Sequence, residues 1–197
     1  MAEVLPLSDA ERILLESLTR HQVRFLVVGL SAAALQGAPV VTQDIDLWFE
    51  DLADQRMAAA LREVGAAYVP PFDLNPPMLA GPGSDPFDIV LRMDGLRGFA
   101  REFEDAIPIR VAGLSLPVLP LARIIASKTA SNRPKDQAVL PALKDALTSI
   151  NASPIHPLAS PPVAADTAPL DGPPSVHEPA VPGPNPDGPL PRPDRCP

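Results

Sequence analysis

Residues 41–50, VTQDIDLWFE, set two aspartates one residue apart inside a run that otherwise reads as a strand. Side chains alternate across a strand, so Asp44 and Asp46 point the same way, side by side. Two carboxylates that close repel each other and resist burial unless something positive sits between them. The identity of that positive partner decides how the chain is read.

A third carboxylate, Asp88, stands in the strand-like run FDIVLR, with Phe87, Ile89 and Leu91 on the opposite face. A lone acid at the head of an apolar strand is usually an edge residue or a turn cap. An aspartate pair plus a third acid on a separate strand is a different matter. Hard divalent cations such as Mg²⁺ take several carboxylate oxygens, with water and phosphate filling the remaining positions. Three aspartates converging from two adjacent strands would supply that set.

Upstream, VVGLSAAAL runs from a strand through Gly29 into a helix start. Free backbone N–H groups and the positive end of a helix dipole favour phosphate there. An ordinary strand-to-helix turn, with glycine for close packing, accounts for the same residues. Ser31 is the expected N-cap of that helix and Gly37 its stop.

Around this centre the chain alternates helical and extended signals. SDAERILLESLTR opens with a capping box, Ser8 with Glu11, followed by apolar Ile13, Leu14 and Leu18 on one face. RFLVVG is a short buried strand, and LADQRMAAALREVG a helix stopped by Gly65. AAYV is a further short strand, followed by a proline- and glycine-rich loop from Pro70 to Pro86. IRVAGLSLPVL reads as extended pieces around Gly113. LARIIASKTAS and KDQAVLPALKDAL are closing helices, the second interrupted or offset by Pro141. Such alternation predicts an α/β (α+β) layer fold, a small mixed β-sheet flanked by helices, over residues 1–150.

Composition changes sharply at residue 151. Residues 151–197 contain no Phe, Trp, Tyr or Lys, yet hold more than half of the 28 prolines. That predicts a disordered, Pro-rich tail, because too little apolar surface remains to offset the entropy of ordering. Aromatics make up only 4% of the chain, so aliphatic residues and alanine must fill the core. A net charge of −8 and a pI near 4.8 argue against a protein that coats polynucleotides. They leave a nucleotide site open, since a bound divalent cation reverses the local sign. The single cysteine, Cys196, excludes an intrachain disulfide. The first residues lack the basic-then-apolar order of a signal peptide, and no apolar run reaches membrane-spanning length. The expectation is a cytoplasmic protein without a membrane partner.

Taken in order, FLVVGLSAAALQGAPVVTQDIDLWF, FDIVL and LPLARIIASKTASNRPKDQAVLPAL resemble the nucleotidyltransferase superfamily with the DNA polymerase beta-like fold. The likeness is to the small bacterial branch that includes AbiEii-type toxins, and it covers roughly residues 20–150, on the order of the whole core. The resemblance implies that Asp44 and Asp46 hold two Mg²⁺ ions and that Asp88 completes the catalytic and metal set beside the acceptor. It implies that Gly29 and Ser31 line the phosphates of an NTP, and that Lys128 reaches the triphosphate. The alternative for Lys128 is a solvated helix lysine. Arg133 and Lys135 are weaker candidates, and Asp136 reads as structural, paired with a neighbouring base.

The implied activity transfers a nucleoside monophosphate from an NTP to an acceptor hydroxyl on an RNA end such as tRNA, a protein or a small molecule. The chain departs from the family in three places, and the first two point to an alternative, a non-catalytic binding component or a toxin–antitoxin component with a cognate partner. Leu30 stands where relatives carry a second Gly or Ser. Val40 and Gln43 stand where they often carry basic residues. The Pro-rich tail has no counterpart.

Overall fold

The computed structural model describes residues 7–152, which fall in the first of the two units into which the chain divides, Met1–Ile155. The expected tail therefore lies outside the described residues, apart from its first two positions, which close the last helix.

The described residues form seven strands and six helices. α1 (Asp9–Arg20) begins with the expected capping box: Ser8 Oγ accepts from the Glu11 N–H at 3.3 Å, and Glu11 Oε2 accepts from the Ser8 N–H at 2.9 Å. Its buried face differs from the one expected. Leu14, Leu15 and Leu18 are buried, whereas Ile13 is 45% exposed. Leu15, adjacent to Leu14 on the helix, turns inward in place of Ile13, and both neighbours complete one stripe with Leu18.

β1 (Phe25–Val28) is buried throughout, as an uninterrupted apolar run demands when a strand is covered on both faces. α2 (Gly29–Leu35) starts directly from it. Its N-cap is Val28, not Ser31, and Gly37 follows the helix at φ +88°, the left-handed conformation expected of a stop. β2 (Ile45–Phe49) returns antiparallel to β1. α3 (Gln55–Glu63) is shorter than expected because Asp54 caps it, its side chain accepting from the Arg56 N–H at 2.8 Å.

β3 (Ala67–Val69) matches the expected short strand. The region from Pro70 to Pro86 is more than a loop, because β4 (Met78–Ala80) crosses it and pairs with β3 and with β5 (Phe87–Val90). Three residues between Pro77 and Gly81 are too few to show alternation. Leu91 lies past the end of β5 and is 61% exposed. α4 (Phe99–Glu104) was not foreseen either. It is anchored by fully buried Glu102, which binds the guanidinium of Arg123 at 2.6 and 2.8 Å and Arg97 Nε at 3.1 Å. Glu102 is held below the usual carboxylate range, first by the hydrogen bonds from Arg123.

β6 (Ile107–Val111) and β7 (Leu114–Val118) form the hairpin around Gly113, whose turn residues Ala112 and Gly113 both have positive φ, the geometry that matches strand twist. α5 (Leu121–Ser131) and α6 (Pro134–Ala152) close the domain. Pro141 lies inside α6, and the helix continues through it.

The sheet order is β3-β4-β5-β2-β1-β7-β6, with β2/β5 and β1/β7 parallel and the other neighbours antiparallel. The expected α/β architecture, a mixed sheet flanked by helices, is the one observed. Gln36, just past α2, ties that helix to α5. Its Nε2 donates to the Leu119 carbonyl at 3.0 Å and its Oε1 accepts from the Leu121 N–H at 2.7 Å, satisfying a helix-start donor that has no side-chain cap. No helix among the described residues is long and apolar enough to cross a membrane.

Candidate active site

Strand register creates the site. Val28 of β1 pairs with Asp46 of β2, and Asp46 pairs with Asp88 of β5. Directly paired residues on neighbouring strands share a face, so the two carboxylates stand side by side on adjacent parallel strands. Asp44 lies one residue before β2. Thr42 shapes the approach, its Oγ1 accepting from the Asp44 N–H at 3.3 Å and donating to the Asp44 carbonyl at 3.1 Å.

Gly29 supplies the space beside Asp46. Its φ is +65°, and a Cβ built there would overlap Asp46 Oδ2 and lie 2.6 Å from Asp46 Cγ. The Asp46 carboxylate thus packs against bare backbone at the point where β1 becomes α2. No other residue could hold this conformation and leave this gap.

Gly29, Asp44, Asp46, Asp88 and Lys128 line one cavity of about 430 Å³, together with Leu30, Thr42, Arg92, Arg133, Lys135 and Asp136. Of the residues singled out in the sequence, Ser31 is placed elsewhere. It is fully buried, and its hydroxyl donates to the Val28 carbonyl at 3.0 Å. Val40 packs against the core, and Gln43 is exposed. Lys128 is not a solvated lysine: its side chain is 17% exposed, and Nζ donates to Asp136 Oδ1 at 2.9 Å. Thr42 and Arg92 were missed. Thr42 had a readable signal, a hydroxyl two residues before an aspartate, which is a turn-forming spacing.

Charge is unevenly distributed. Asp46 is half-buried and accepts no hydrogen bond among the described residues. Its pKa is pushed up to about 6, first by burial and then by the charge of Asp88, with Asp44 adding to the effect and Lys128 and Lys135 opposing it. Asp136 behaves oppositely. Burial raises it, but hydrogen bonds from Lys128 and Ser131 outweigh burial and leave it below the usual carboxylate range.

Among the described residues, no three His, Cys, Asp or Glu side chains converge into a finished metal cluster. The pair Asp46/Asp88 is joined by register, whereas Asp44 stands apart from the strand.

No family model matches the chain, and no curated protein matches it. Among solved structures, the crystal structure of ANT(2'')-Ia in complex with adenylyl-2''-tobramycin is similar at 16% identity and a TM-score of 0.49, over 71% of this chain and 86% of that one. The solution structure of the antibiotic-resistance factor ANT(2'')-Ia is similar at 16% identity and a TM-score of 0.48, over 71% and 81%. A likeness at this level says nothing of activity, and the functional reading rests on the site.

Proposed function

We propose that this chain is a metal-dependent nucleotidyltransferase, moving a nucleoside monophosphate from an NTP to an acceptor hydroxyl. The observation that carries the reading is the Asp46/Asp88 pair, fixed side by side by strand register and facing the basic residues of α5 and α6 across one cavity.

The donor set fits a hard divalent cation. Asp46 is a partly buried carboxylate with no hydrogen-bond partner, raised by burial and by Asp88, and Gly29 leaves its oxygen uncrowded. Asp44, Asp46 and Asp88 would hold Mg²⁺, two ions in the full arrangement. Bound Mg²⁺ would supply charge neutralisation on the triphosphate and stabilise the developing charge of an in-line displacement.

The chain's own residues do the rest. Lys128, Lys135 and Arg133 hold the phosphates from the opposite wall. Asp88, exposed at the cavity rim, accepts the proton of the acceptor hydroxyl. A bond forms from the acceptor oxygen to the α-phosphorus, the bond from that phosphorus to the bridging oxygen breaks, and pyrophosphate leaves. The acceptor is an RNA end, a protein hydroxyl or a small molecule. The test incubates the protein with labelled NTPs, Mg²⁺ and these acceptors. Transfer lost in Asp46→Asn and Asp88→Asn supports the reading, and transfer that survives Asp44→Ala with Asp46→Ala sinks it.

One observation favours a second reading, a nucleotide-binding component without turnover, as in a toxin–antitoxin pair. Leu30 lines the cavity beside Gly29, on the side where the phosphates would lie. Under this reading wild-type protein binds Mg²⁺ and an NTP analogue but transfers nothing, and Leu30→Gly gains transfer.

A further inference from the structure

We infer that Asp136 is a positioning residue for the triphosphate: with Ser131, it fixes the Lys128 ammonium on the cavity wall. The inference rests on the nucleotidyl-transfer reading and deepens it.

Asp136 sits in the first turn of α6 and is 4% exposed. Both of its oxygens are engaged by α5. Oδ1 accepts from Lys128 Nζ at 2.9 Å, and Oδ2 accepts from Ser131 Oγ at 2.7 Å. The turn between the helices makes this possible. Asn132 adopts the left-handed conformation at φ +51°, and the start of α6 folds back onto the end of α5.

Stability does not account for such a pair. A buried ion pair gains little over an apolar pair of similar volume, because desolvation offsets the attraction. This one also sits on the wall of the acid-bearing cavity, which both partners line. An ammonium has three donors, and Asp136 takes one; among the described residues no other hydrogen bond engages Nζ, so two remain for an anion. A free lysine has a flexible four-carbon stem to immobilise on binding phosphate. Here the carboxylate has immobilised it beforehand. Lys135 and Arg133 provide the contrast. Both are exposed at the same cavity, and neither side chain has a hydrogen-bond or ion-pair partner among the described residues.

The experiment titrates inorganic triphosphate with Mg²⁺ into the full chain by calorimetry. The proteins are wild type, Ser131→Ala, Asp136→Asn, Lys128→Met, the Lys128→Met/Asp136→Asn double variant, and Lys135→Met with and without Asp136→Asn. Loss of a charge-assisted contact predicts affinity roughly ten-fold or more weaker in Asp136→Asn and in Lys128→Met. The double variant is expected to be no weaker than Lys128→Met alone, since the two act as one unit. Losses from Lys135→Met and Asp136→Asn should instead multiply. Ser131→Ala should weaken binding several-fold, with only a small fall in melting temperature from the donor lost to Asp136 Oδ2. Affinity in Asp136→Asn within two-fold of wild type overturns the inference, and so does a double variant whose losses multiply. Where Asp136→Asn does not fold, Ser131→Ala and the neutral double variant decide, and unchanged affinity in Ser131→Ala is the overturning result. Wild-type protein that binds no triphosphate with Mg²⁺ overturns the nucleotidyl-transfer reading and this inference together. Binding by wild type with Asp136→Asn unaffected overturns this inference alone.

Discussion

Replacing Asp46 with asparagine should stabilise the protein while removing the proposed nucleotidyl transfer. In the folded chain the Asp46 pKa rises from 3.8 to about 6, with burial as the first cause. A carboxylate raised in this way binds a proton more tightly folded than unfolded. Its penalty is therefore absent below about pH 4, grows between about pH 4 and 6, and is complete above that. At about 1.4 kcal/mol per pKa unit, the shift corresponds to at most ~3 kcal/mol. Asp46 keeps some exposure, and solvent screening reduces this to about 1–2 kcal/mol. For a chain of this size each kcal/mol moves the melting temperature by about 2–4 °C. In EDTA at pH 7.5, Asp46→Asn should therefore melt about 2–8 °C above wild type, and the gap should shrink towards pH 4. Mg²⁺ should then raise the melting point of wild type but not of the variant. Thermal melts from pH 4 to 8, with and without Mg²⁺, check both parts. A variant less stable than wild type at pH 7.5, or a gap independent of pH, would refute the reasoning.

Three further outcomes are expected. Gly29→Ala puts a Cβ into the Asp46 carboxylate at a left-handed φ, so it should cost at least about 1–2 kcal/mol of stability and abolish Mg²⁺ binding, as read by urea melts and calorimetry. Glu102→Ala leaves Arg123 and Arg97 without their carboxylate and should cost about 3–5 kcal/mol in urea unfolding. Because Glu102 is depressed below 4.5, its contribution is present above that pH and lost as pH falls through the folded value, so the two proteins should converge in acid. Pro141→Ala restores a backbone donor at an exposed position inside α6 and should stabilise the chain by about 1 kcal/mol or more, seen as a higher urea midpoint.

Where a residue's role follows from chemistry local to the chain, the sequence could be read. The capping box at Ser8 and Glu11, the glycines that stop α2 and α3, and the strands bearing Asp46 and Asp88 all belong to this class. The register that sets those two acids side by side is a property of the sheet, though alternation had already placed them on compatible faces. Elements too short to repeat their own period were hidden. β4 spans three residues, and α4 is held by Glu102 ion pairs that involve Arg123 on a distant helix. Ser31 misled because a serine after a glycine looks like a cap or a phosphate ligand. The helix had already started at Gly29, which turned the hydroxyl inward. The engagement of Lys128 by Asp136 required knowing that α6 folds back on α5 at Asn132.

The Gln36 clamp has a mechanical consequence. By bonding both the Leu119 carbonyl and the Leu121 N–H, it fuses the helix that begins at Gly29 to the helix that carries Lys128. The cavity wall at Gly29 and the wall that carries Lys128 are thereby tied together through an amide rather than through a charge. Salt does not loosen such a brace, and neither does a change of pH in the range where Asp46 titrates. α6 is joined to the same α5 helix twice over, by the short reversal at Asn132 and by Asp136, which accepts from Lys128 and Ser131. Hydrogen exchange should find a slow proton at Leu121, where the Gln36 amide caps the start of α5.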